Sequence, residues 1–296
     1  MHYRNHLSPP QFPTRWASSW GEDRYGPWMN LTYQDATLTF RWVMPGMFMM
    51  GSEENEEGRI SWEDHHEVTI EQGFWLSDVP VTQAFWQAIN GDNPSKFKGD
   101  ELPVETVSWD ETQQFIEKLN QLHPDLTTRL LWEAEWEYAC RAGTTTAFSF
   151  GDEIDSGKAN YRGVWTVKDI ESYKNDKEWG SDALKKTSLI KSYPANPWGL
   201  YDMHGNVWEW CQDEWQENLG TKPTTFSASS VVLDEEAGKA SKVEQNSEES
   251  DEEQGQRVMR GGSWDLEGWD CRSACRFGYA PDGRNGHVGF RLALGH

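Results

Sequence analysis

Four cysteines supply the soft nucleophiles of this 296-residue chain, and two of them, Cys271 and Cys275, stand four residues apart near its end. Neighbouring thiols can hold a soft metal ion or act as a redox pair. None of the four has the Cys-x-x-Cys spacing of a zinc site, and four are too few for a disulfide framework at this length. Cys140 and Cys211 sit in aromatic, helix-like surroundings and read as buried small hydrophobes. Cys271 and Cys275 read as two ordinary reduced thiols, with a functional pair as the alternative. His65 and His66 are adjacent, so on a strand they point to opposite faces and read as partly exposed polar residues.

The same C-terminal region reads Arg260-Gly-Gly-Ser-Trp264, Cys271-Arg-Ser-Ala-Cys-Arg276, Pro281-Asp-Gly-Arg284 and Gly289-Phe-Arg-Leu292. Arg260, Arg272, Arg276, Arg284 and Arg291 lie in a strongly acidic chain, and the guanidinium fork suits bidentate pairing with carboxylates. Glu133, Glu137 and Glu209 are the expected partners. Between these anchors the residues share neither size nor polarity, which suggests a rigid frame carrying an adjustable surface. The expected ligand-binding residues are Asp265, Leu266, Glu267, Trp269, Asp270, Cys275, Phe277, Tyr279, Ala280, Gly283, Asn285 and His287. Among them Trp269, Phe277, Tyr279 and His287 would reach solvent, where aromatic side chains give large contact area at low entropic cost.

The elements that must hold this surface are short. Residues 1–38, rich in Pro, Trp and polar residues, read as an N-terminal arm packed on a domain spanning 39–296. Thr39 to Met50 reads as two strand segments broken at Pro45-Gly46, and Val68 to Leu76 as another strand. After Thr82, the residues Phe85, Trp86 and Ile89 share a helical face. Ser108-Trp-Asp-Glu111 fits a capping box for a helix with Phe115, Ile116, Leu119 and Leu122 buried, ended by Pro124. A third helix is expected from Trp132 to Arg141, with Trp136 and Cys140 inward and Gly143 as its stop. From Thr144 to Trp215 periodicity is lost, although the tryptophans there need burial. Between 231 and 256 acids dominate and apolar residues almost vanish after Leu233, so this acidic insertion is expected to be a disordered surface segment.

Composition narrows the function classes. Eighteen tryptophans favour a loop-rich fold stiffened by aromatics. A net charge of −22 argues against a nucleic-acid partner, because phosphate binding relies on clustered Lys and Arg. No apolar run approaches the roughly 20 residues that span a bilayer, and Met1 to Pro10 has no signal-peptide core. No membrane insertion is expected, and the expected location is cytoplasmic.

Several ordered motifs support a family resemblance: Phe48-Met-Met-Gly-Ser52, Gly73-Phe-Trp75, Glu133-Ala-Glu-Trp-Glu-Tyr-Ala-Cys-Arg141, Asn196-Pro-Trp-Gly-Leu-Tyr-Asp-Met203, Gly205-Asn-Val-Trp-Glu-Trp210 and Arg260-Gly-Gly-Ser-Trp264. Together they resemble the formylglycine-generating-enzyme (sulfatase-modifying factor) superfamily. The resemblance implies an α+β, C-type-lectin-like fold: a small twisted antiparallel sheet, two main helices and much irregular structure. It also implies a copper ion held by two cysteines, the first two residues after the aromatic of the Gly-Gly-Ser-aromatic motif and the second five residues later. Here the first position is Leu266, which cannot supply a thiolate, so copper is not expected although Cys271 stands at the second distance. Possible calcium ligands implied by the resemblance are Asn160 and Tyr161, and Asn206 and Glu209. The Cys-Arg-Ser-Ala and Gly-Phe-Arg-Leu frame is also similar to the variable proteins of diversity-generating retroelements. That branch implies a non-catalytic protein displaying a variable face to a protein or glycan ligand. The alternative is a divergent oxidase or maturation factor using Cys271 and Cys275.

Overall fold

A computed structural model describes residues 7–163, 180–226 and 255–294. Along the chain run β1 (Ser19–Asp23), β2 (Gly26–Tyr33), β3 (Ala36–Val43), β4 (Gly46–Met50), β5 (His66–Ile70), β6 (Phe74–Ser77), α1 (Gln83–Asn90), α2 (Trp109–Leu122), β7 (Thr128–Arg129), α3 (Glu133–Arg141), β8 (Trp208–Glu214), β9 (Thr224–Phe226), β10 (Arg257–Arg260), a 3-10 turn (Gly268–Cys271), β11 (Arg276–Tyr279), β12 (Val288–Gly289) and β13 (Ala293–Leu294).

These strands form three sheets rather than the one expected. The largest is antiparallel, in the order β1-β2-β3-β6-β13-β7. A four-stranded sheet, β11-β10-β8-β12, closes with a parallel β12–β8 pair. The third, β4-β5-β9, also has one parallel pair. Among the described residues no helix is long and apolar enough to cross a membrane.

The expected boundary at residue 38 falls inside β3, and this corrects the N-terminal arm. Met29 and Leu31 alternate inward on β2, opposite Leu38 and Phe40 on β3, and all four are buried. Period-two burial of this kind makes β1 and β2 part of the main sheet. Only residues 7–18 lie over it as irregular chain, with Phe12 stacked on Trp75 at 5.8 Å and Trp16 edge-on to Phe40. The expected single strand at Val68 to Leu76 is two, β5 and β6, in different sheets. Gly73 just before β6 lets the backbone pass against Trp42, where a Cβ would come within 2.4 Å of the ring. The acidic insertion lies outside the described residues except for Gly255 and Gln256.

The helices follow their punctuation. Thr82 caps α1 by accepting from the Phe85 amide, and Gly91 ends it in the left-handed region. Ser108 and Glu111 form the expected capping box of α2. Its stripe is shorter than expected, since Leu122 is exposed beside the last turn. In α3, Trp132 has no side-chain oxygen with which to cap. Instead the Glu135 carboxylate accepts from the Trp132 amide and is held by Arg129 at 2.6 Å. Trp136 and Cys140 are fully buried on its inner face.

Candidate functional site

The C-terminal face rests on buried arginines that reach across the fold. Arg276 grips Glu133 of α3 through two bonds of 2.6 and 2.7 Å and also donates to the carbonyls of Trp62 and Gln216. Arg260 on β10 pairs with Glu137 and Glu133 and donates to the carbonyls of Ser273 and Cys275. Arg291 holds both oxygens of Glu209 at 2.7 Å. These three pairings are the ones expected from the sequence.

Arg272 and Arg284 choose partners that sequence reasoning missed. Arg272 binds Glu63 through both ends of its fork, Glu56 at 2.6 Å and the Gly58 carbonyl. It thereby staples the 52–63 loop to the C-terminal segment. Burial pushes the Glu56 carboxyl upward despite that arginine. Arg284 makes a half-exposed fork with Glu111, the capping residue of α2.

On this frame the expected ligand-binding residues divide. Phe277 is 49% exposed on the edge strand β11, with its ring 6.3 Å from that of Trp208. Tyr279, two residues on and so on the same face, stacks over Trp210 at 5.9 Å and covers Gly283. Leu266 packs half-buried against the same core. Asp265 accepts from Ser263 at 2.7 Å and meets His287 at 2.8 Å. Burial works against ionisation of Asp265, but the His287 bond and charge outweigh it and hold the carboxyl below its usual value. Ala280 and Asn285 are exposed on the loop beyond β11.

Glu267, Trp269 and Asp270 make their contacts elsewhere, around the 3-10 turn. Glu267 pairs with Arg162 at 2.9 Å, and Trp269 is half-buried with its Cβ against Gly58. Burial, reinforced by Glu267, pushes the Asp270 carboxyl up to about 7.

Cys275 is not a surface residue. It is 2% exposed within the large core, which removes it from the ligand-binding set. Cys271 is 0% exposed in a different cluster with Phe148, Ile154 and Tyr161. Burial pushes both thiols well above their ordinary range, so neither is poised as a thiolate. The alternative catalytic pair therefore lacks both access and ionisation. A buried histidine lies beside Cys271: His204 meets its carbonyl at 2.8 Å through Nδ1, while Nε2 accepts from the Ser149 amide. Burial lowers this imidazole to about 4.

The residues expected to hold calcium do not fit an ion as arranged. Glu209 has both oxygens on Arg291 and accepts from Trp136 as well, which corrects its expected role. The Asn206 side-chain oxygen accepts from Asn160 and from the Ser188 amide, and the Asn160 carbonyl accepts from the Asn206 amide. Tyr161 lies in the small apolar cluster with its hydroxyl toward the Ile154 carbonyl. These amides serve to cross-link loops, and Asn206 occupies the left-handed region that asparagine tolerates.

Three mixed sheets, three short helices and long ordered loops pinned by buried arginine–glutamate pairs define a C-type-lectin-like, formylglycine-generating-enzyme-like domain. Residues 32–295 match the sulfatase-modifying factor enzyme 1-like domain, and the chain belongs to this family. It is similar to the formylglycine-generating enzyme of Mus musculus, 28% identical over 235 residues that cover 78% of this chain and 54% of the relative. The inactive C-alpha-formylglycine-generating enzyme 2 of Bos taurus is 27% identical, covering 75% and 59%. The chain thus spans little more than half the length of such relatives. Among solved structures, Treponema denticola variable protein 1 superposes with a TM-score of 0.67 at 24% identity, covering 90% of this chain and 98% of that one. PvdO from Pseudomonas aeruginosa gives 0.63 at 25% identity, covering 94% and 98%.

Proposed function

We propose that this protein is a non-catalytic ligand-display protein whose C-terminal face binds a protein or glycan partner, and that this face is the variable segment of a diversity-generating retroelement. One observation carries the reading: position 266 is a half-buried leucine on the core, while the nearby thiols of Cys271 and Cys275 are buried and un-ionised. In contrast, Phe277, Ala280 and Asn285 are exposed on a segment clamped from below by Arg272, Arg276 and Arg284. A rigid base under exposed, chemically unlike residues suits recognition. The likeness to a variable protein supports the scaffold.

The competing reading, a divergent oxidase or maturation factor, draws on the names of the curated relatives. It requires an accessible thiol. Incubating the full chain with Cu(I), oxygen and a cysteine-bearing sulfatase-type peptide should leave the peptide's mass unchanged, and conversion to the aldehyde would overturn the display reading. As the positive arm, peptides selected from a random display library on the wild-type chain should lose binding to Phe277→Ala and Tyr279→Ala. Undiminished binding to both would remove the C-terminal face from the proposal. Sequencing the flanking DNA for a reverse transcriptase gene and a near-identical repeat tests the retroelement part on its own.

A further inference from the structure

Met44, Met47 and Met49 are 47%, 62% and 38% exposed, an unusual concentration of thioethers on one short stretch of surface. On β4 they are sorted by the pleat. Met50 is in the core and Phe48 packs against it, so Met47 and Met49 share the outward face. They stand opposite Thr69 and Glu67 of β5, and β4 is an edge strand of its sheet. Met44 lies just before, across Pro45-Gly46.

The spacing suits a shared ion. Residues two apart on a strand are separated by about 7 Å, and three residues span at most about 10 Å. Methionine has three rotatable bonds ending in a polarisable sulfur, so neighbouring side chains can converge over such distances. Thioethers are soft, uncharged donors and select soft cations such as Cu(I). Glu67, cross-strand from Met49, adds the negative charge that neutral ligands lack.

We propose that Met44, Met47 and Met49 form a surface site for a soft monovalent metal ion of the Cu(I) class, built on a different sheet from the C-terminal face and independent of it. The site has a signature that separates it from cysteine ligation. Thiolate ligands must lose a proton, so their metal affinity falls in acid, whereas thioethers bind without deprotonation. The four cysteines are also all buried.

Anaerobic titration of the full chain with Cu(I) against a chromophoric Cu(I) chelator, at about pH 7.5 and about pH 5.5, tests the site. One equivalent should bind at both values. The volume-conserving triple variant Met44→Leu, Met47→Leu, Met49→Leu should lose it. The single Met47→Leu change, at the most exposed of the three positions, should weaken it about tenfold without altering folding. Met50→Leu, in the core, should leave binding unchanged. The proposal is overturned by an absence of binding, by an equivalent that survives in both methionine variants, or by binding that disappears at the lower pH.

Discussion

Glu63→Gln removes the charge from the carboxylate that Arg272 grips while leaving the side chain's shape intact. Both side chains are 0% exposed, and the two ends of the fork lie 2.7 and 2.8 Å from Glu63. Removing one partner of a buried ion pair costs about 3–5 kcal/mol, because the other charge stays buried. Arg272 retains Glu56 and the Gly58 carbonyl, each at 2.6 Å, so the cost belongs near the lower end, about 3 kcal/mol. Glu209→Gln provides the calibration. The remaining hydrogen-bond partners of Arg291 are the carbonyls of Ser77 and Tyr201, so that loss belongs near about 5 kcal/mol. Urea unfolding followed by tryptophan fluorescence should show both midpoints falling with the slope unchanged. In Glu63→Gln, hydrogen exchange should also quicken at the amides from Gly58 to Trp62, because the loop has lost its staple. The double variant Glu63→Leu, Arg272→Met should recover most of the stability, since no arginine is then stranded. A cost below about 1 kcal/mol for Glu63→Gln, or a smaller cost for Glu209→Gln than for Glu63→Gln, would refute this reasoning.

Three further outcomes are expected. None of the four cysteines should react with an aromatic disulfide reagent in the folded protein, all four should react in denaturant, and Leu266→Cys should add one thiol that reacts under native conditions. Asp270, raised to about 7 by burial and by Glu267, binds its proton more tightly folded than unfolded, so its contribution to stability declines as pH rises from about 4 to about 7. Asp270→Asn should therefore be more stable than wild type above neutrality in thermal melts, with the difference closing toward acid. Gly58→Ala should lower stability by about 1–3 kcal/mol in urea titration, because Gly58 has φ +80° and a Cβ there would lie 2.5 Å from that of Trp269.

What the sequence reveals here is local, and what it hides is the choice among distant equals. The capping box at Ser108 and Glu111 and the glycine after α1 are legible because cap and helix lie within a few residues. Arg276 with Glu133 was legible for another reason: an arginine in an aromatic, apolar frame needs a carboxylate, and α3 presents few. The same logic fails for Arg272. Its partner lies 209 residues away in a stretch where Glu53, Glu54, Glu56, Glu57 and Glu63 are chemically alike, and only the fold selects Glu63 and Glu56. The strands of residues 19–33 escaped because Trp20, Gly21 and Glu22 obscure the alternation that Met29 and Leu31 carry. Cys275 was placed on the surface for want of any signal of depth, since a small apolar thiol suits either side.

The division between frame and face has an energetic basis. Buried arginine–carboxylate pairs give little net stability compared with apolar packing, yet they are costly to break or to shift, so they fix one arrangement of the loops. That arrangement does not draw on the side chains of Phe277, Ala280 or Asn285, which are exposed. The one anchoring contact in this stretch, from the Thr106 amide, goes to the backbone carbonyl of Asn285. Any residue able to adopt the local backbone can offer the same carbonyl. Substitution at these positions can therefore alter what the face presents while the loops beneath keep their positions.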